Sequence, residues 1–240
     1  MYIFLPFASV IIGYFISLFI KPTENKKLKF LLAFSGAFLL TLTVCHLLPE
    51  IFTPTADQLV HHAHEHDHDH GHNHTHNTLG LYIMLGILLQ IVLEFFSKGA
   101  EHGHVHVHDK NIPYSLFISL CLHALLEGMP VAKHHDLALG IAIHHLPIAI
   151  ILASFFAQAQ LSKSKIFIYM LIFALMTPLG TIIWSNSTFL LDYTKEITAV
   201  VIGILFHISA TIIFESNEDH KFNLTKLVSI ILGILLASFM

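Results

Sequence analysis

The chain has 240 residues, of which 55% are hydrophobic and only 12% charged, and it carries a net charge of −4 with histidine neutral. A soluble domain is nearer half apolar and about a quarter charged. The composition therefore excludes a water-soluble fold and a basic nucleic-acid binder, and it implies an all-α membrane protein. Lysine supplies all 12 fixed positive charges, while 21 residues are histidine.

About 20 apolar residues make one crossing of the hydrocarbon core. On that measure eight transmembrane helices are expected, at 2–20, 30–50, 79–97, 113–132, 137–157, 164–185, 197–215 and 224–240, in one transmembrane domain covering 1–240. The first run lacks the basic flank and cleavage site of a signal peptide and reads as a membrane helix. The second closes on Cys45-His46-Leu47-Leu48-Pro49-Glu50. His46 and Glu50 there are expected to line an entrance.

A His-rich loop follows at 54–78. His62, His64, His66, His68, His70, His72, His74 and His76 stand at every second position, with Glu65, Asp67 and Asp69 between them. Such a segment has little to bury and is expected to be disordered. Its imidazoles suit weak capture of a borderline metal. Glu94, near the end of the third span, is a candidate exit group or a side chain that reaches water. A second loop at 98–112 carries His102, His104, His106 and His108, again as weak metal ligands. Neither tract has the spacing of a closed structural zinc site.

The fourth and fifth spans carry the strongest signal. The fourth contains Leu122-His123-Ala124-Leu125-Leu126-Glu127-Gly128 and the fifth Ile143-His144-His145-Leu146-Pro147. Ionisable groups at bilayer depth cost several kcal/mol and mark functional cavities. His123 and Glu127, four apart, share one helix face. His144 and His145 lie about 100° apart and can border the same cavity. Pro147 deprives the Ile143 carbonyl of its helical donor. A polar network that merely holds helices together would explain one such group. Four ligand-type groups at one depth, between two His-rich tracts, favour a metal site. His207 in mid-span and Glu215 at the end of the seventh span are candidates for the same path or for bridging helices.

Numbering the connections alternately puts Lys21, Lys26, Lys27, Lys29, Lys98, Lys110, Lys163, Lys165, Lys221 and Lys226 on one side, with only Lys133 and Lys195 on the other. The positive-inside rule then places both termini and the loop 54–78 outside the cytoplasm, and the loop 98–112 inside. Cys45 and Cys121 both fall in apolar spans, which argues against a disulfide framework.

At these residues the chain resembles the ZIP family of zinc and iron transporters. The likeness includes Phe34-Ser35-Gly36-Ala37-Phe38 leading to His46-Leu47-Leu48-Pro49-Glu50, and Met176-Thr177-Pro178-Leu179-Gly180. The family's fourth-helix pattern His-Asn-x-x-Glu/Asp-Gly is met by His123, Glu127 and Gly128. Its fifth, His/Gln-Glu/Asp-x-Pro-His/Glu, is met by His144 and Pro147. Ala124, His145 and Ile148 depart from it where the family often places Asn, an acid and a bridging ligand. The resemblance implies a 3+2+3 helix arrangement and alternating access. With the departures, it implies one metal held by His123, Glu127, His144 and a further candidate, His145, rather than two.

The expected function is uptake of a divalent cation, Zn²⁺ being the best fit, across the cytoplasmic membrane of a bacterium. The metal is substrate, and no cofactor is expected. The expected partners are the divalent metal ion and the lipid bilayer, with a homodimer left open. Two rivals remain. One is a non-transporting metal sensor of the same fold. The other is an intramembrane zinc hydrolase with Glu127 as base, for which the chain lacks a His-Glu-x-x-His motif.

Overall fold

The computed structural model describes residues 2–19, 26–53, 72–97, 114–215 and 224–240. Every regular element among them is helical. In chain order they are α1 (Phe4–Ser17), α2 (Lys26–Leu42), a π-helical turn (Thr43–Leu47), α3 (Leu48–Phe52), α4 (His72–Ser97), α5 (Tyr114–Gly128), a 3₁₀ turn (Met129–Ala132), α6 (His135–Gln158), α7 (Lys163–Asn186), α8 (Thr188–Asp192), α9 (Thr194–Glu215) and α10 (Leu224–Ser238).

Apolar helices thus occupy all eight expected positions. Six are long and apolar enough to cross a membrane: Leu28–Phe52, Thr78–Phe96, Tyr114–Ala132, Asp136–Gln158, Lys163–Asn186 and Thr194–Phe214. The first and last are shorter than expected. α1 has 14 residues and α10 has 15, which at 1.5 Å per residue reach only about 21–23 Å against a core of about 30 Å. α4 corrects the reading in the other direction. It begins at His72 rather than 79, so the end of the expected 54–78 loop is helical. Extending a nucleated helix costs little.

The polarity is inside out. α4 exposes Leu81, Met84, Leu85, Leu88, Ile91, Val92, Phe95 and Phe96, whereas His123, Glu127, His144, His145 and Gln90 are buried. An apolar face of that size is an aggregation surface in water and an ordinary exterior in lipid. This is the make-up of a multi-pass membrane protein.

The helices pair in a regular way. α1 packs on α6 and α7 on α5, while α4 packs on α9 and α10 on α2. α1 also meets α7, and α2 meets α9. Exchange the first three spans (α1, α2–α3, α4) for the last three (α7, α9, α10), and α5 for α6. Each of these six pairings then maps onto another of them or onto itself. Three more, α2 with α6, α4 with α5 and α6 with α7, break the exchange. α6 is the most enclosed span, with Leu137, Ala138, Ile141, Leu152 and Phe156 all nearly inaccessible.

Glycine sets the closest crossings. A Cβ at Gly128 would collide with the carbonyl of Thr177, and one at Gly180 with the carbonyl of Leu125. α5 and α7 therefore touch backbone to backbone beside Glu127, the kind of approach that small residues permit in membranes. Thr181 reinforces it by donating to the Gly128 carbonyl at 2.7 Å. Gly180→Leu should drive these helices apart at a cost of about 1–3 kcal/mol, lowering the unfolding temperature in detergent. Leu179→Ala on the exposed face of the same helix should leave it nearly unchanged.

Candidate metal centre

α5 supplies two of the buried ionisable groups and α6 the other two. His123 and Glu127 stand one turn apart on the inner face of α5, and both are fully buried. Because the intervening residues point elsewhere, Ala124 joins the apolar core instead. On α6, the step from His144 to His145 would normally send one ring outward. Here α6 is enclosed on several sides, and the two rings are 0% and 1% exposed.

The carboxylate of Glu127 organises the group. His123 Nε2 lies 3.2 Å from Oε1, and His145 Nε2 lies 3.2 Å from Oε2. Two ligand atoms bound about 2.0–2.1 Å from a tetrahedral zinc are about 3.3 Å apart, so the first of these separations already suits a shared metal. Among the described residues, ligand atoms of His123, Glu127 and His144 lie within 4.8 Å of one another. The ring centroids of the three histidines are 6.0–6.5 Å apart. Phe173 of α7 closes over His145, with ring centroids 5.4 Å apart.

A carboxylate cut off from water needs positive charge beside it. A proton shared with imidazole supplies it, and so does a dication. Neutral imidazoles and one carboxylate form a donor set suited to borderline divalent metals. His145 differs from the other two histidines. It lies outside the three-residue group and holds the second oxygen of Glu127, as an outer partner that orients a ligand does. Ile148 and Ala124, where the resembling family has further polar groups, are packed into the apolar core with Phe173 and Met170.

The remaining sequence candidates are dispersed. Glu94 and His207 meet at 2.6 Å between α4 and α9, each about one-fifth exposed. Glu50 is exposed and lies 3.1 Å from His134, which precedes α6. His46 is half-buried within the π turn. That turn ends just before Pro49. Proline lacks a donor and crowds the carbonyl four residues back, and the wider π geometry accommodates it, a device frequent at functional sites. The side chains of Glu215, His72, His74 and His76 lie outside the described residues, as do His62, His64, His66, His68, His70, His102, His104, His106 and His108. Thr181 and Gly180 were missed as site supports, because nothing in the sequence says which helix faces Gly128.

No protein-family model matches the chain. Over 88 residues the chain is 31% identical to a zebrafish (Danio rerio) protein named zinc transporter ZIP1. The match covers 33% of this chain and 29% of that relative, less than a third of its length.

The geometry separates the two histidines of α6. In zinc binding measured by chelator competition, His144→Ala should remove one tight equivalent. His145→Ala should keep that equivalent and weaken it by about 10–100-fold. The reverse order would make His145 the ligand.

Proposed function

We propose that this chain is a ZIP-like transporter that carries a divalent metal, most naturally Zn²⁺, into the cytoplasm through the centre formed by His123, Glu127 and His144. The observation that carries this reading is the enclosed group itself. Three ligand-type side chains from two successive helices converge, with 0% exposure, about 14 Å along helices long enough to cross a bilayer. Partial similarity to a protein named a zinc transporter supports it.

Transport requires a site that selects yet releases. Imidazoles with one carboxylate meet that need better than a thiolate cage, and both cysteines, Cys45 and Cys121, are free thiols outside the three-residue group. The centre is closed to solvent, which corresponds to an occluded state of an alternating-access cycle. The exchangeable helix pairings are those an inverted 3+2+3 architecture would produce, in which one half rocks against the other around a fixed site. A hydrolase would need an open position for water on the metal and a free general base. Here both oxygens of Glu127 already face imidazoles, which argues for the transporter.

Radiometal flux into proteoliposomes tests the proposal. Wild type should accumulate zinc, and His123→Ala and Glu127→Ala should each abolish uptake while the protein remains folded. Metal binding without flux in wild type would favour a sensor. Uptake should also fall as the pH drops through about 6–7, the ordinary histidine range, because protonated imidazole cannot ligate. Uptake unchanged down to about pH 5 would exclude histidine ligands.

A further inference from the structure

Three chain junctions meet at one end of the bundle. They are the end of α3, the turn between the 3₁₀ segment and α6, and the start of α9. Glu50 Oε2 lies 3.1 Å from His134 Nδ1. Lys133 Nζ donates to Thr194 Oγ1 at 3.1 Å, and Lys195 Nζ to the Thr53 carbonyl at 3.3 Å. These two lysines are the pair that the positive-inside count places apart from the other ten. Each is tied to an uncharged oxygen on a neighbouring junction.

The consequence falls on Glu50. Lys133, next in sequence to His134, reaches toward α9 rather than toward the carboxylate. The partner of Glu50 is an imidazole, which a metal can use as a ligand, rather than an ammonium, which a metal would have to displace. The separation is that of a hydrogen-bonded pair and also lies near the roughly 3.3 Å between two ligands of one tetrahedral zinc. The carboxylate side chain is 60% exposed and that of His134 is 12% exposed, so an ion arriving from water meets the carboxylate first and can keep its remaining waters. As a clasp such an exposed pair contributes little.

The position suits a first stop. Glu127 precedes His134 by seven residues through the 3₁₀ turn, and His144 follows it by ten along α6. At helical rise this puts the pair about 10–15 Å along the helix axes from the buried centre. His46 lies four residues before Glu50, half-buried on the same helix.

We propose that Glu50 and His134 form a second, weaker divalent-metal site at the mouth of the bundle, which captures the ion before it enters the buried centre. Its role in capture rests on the transport reading and on the lysine-based orientation. Its existence as a metal site does not.

Two measurements on the full chain test it. In zinc flux, Glu50→Gln and His134→Asn should each raise KM by about tenfold with kcat unchanged, and the double variant should be no worse than either alone. His134→Cys should shift the KM ratio in favour of cadmium over zinc, as a softer ligand does, which a structural clasp would not. Unchanged KM in both single variants, or kcat falling in step with stability, overturns the proposal. The second measurement needs no transport. In a Glu127→Ala background, adding Glu50→Gln and His134→Asn should remove one weak zinc equivalent from the binding isotherm. Unchanged stoichiometry overturns the site even if flux is normal. Loss of that equivalent in a chain without flux would keep the site and refute only the transport reading.

Discussion

Everything near the middle of this bundle is arranged around one buried carboxylate. Glu127 has no access to water, so its charge must be met inside the protein. It is met on both oxygens, by His123 from its own helix and by His145 from the next. That requirement fixes the rotation of α6 about its axis. With His145 turned to Glu127, His144 is carried round to complete the three-residue group with His123. A rotation that suited lipid better would separate the ligands.

Such a group survives only if water is kept out and the helices are held close. The contact of Gly128 with Thr177 and of Gly180 with Leu125 brings α7 against α5 at the residue after Glu127. Thr181 ties down the Gly128 carbonyl, and Phe173 covers His145. The same α7 also packs on α1, which in turn packs on α6. The centre is thus enclosed by α1 and α7, partners of α6 and α5 that the helix exchange interchanges.

The apolar neighbours limit what the centre can hold. Ala124 and Ile148 are nearly inaccessible and sit in the core cluster with Phe173 and Met170. Neither side chain offers a ligand atom to the group. The mouth has the opposite character, since Glu50 is open to water and lightly partnered. An enclosed group of ionisable side chains at mid-bundle thus contrasts with an exposed ionisable pair at one end.

The sequence alone located the apolar helices in order, because hydropathy marks them directly, although only six of them are long enough to cross a membrane. It also singled out His123, Glu127, His144 and His145, because ionisable residues in such helices are too costly to be incidental. Tertiary structure decided what helical periodicity does not encode, namely which helices face one another and which ring reaches which oxygen. Only packing separated His145, on the outer oxygen of Glu127, from His144 in the three-residue group. Only packing joined Glu50 to His134 across 84 positions, Glu94 to His207 across 113, and Gly128 to α7. Partners so far apart leave no local signal, since each depends on the crossing of whole helices. The pairing pattern that relates the two halves was likewise hidden, for it resides in contacts rather than in repeated residues.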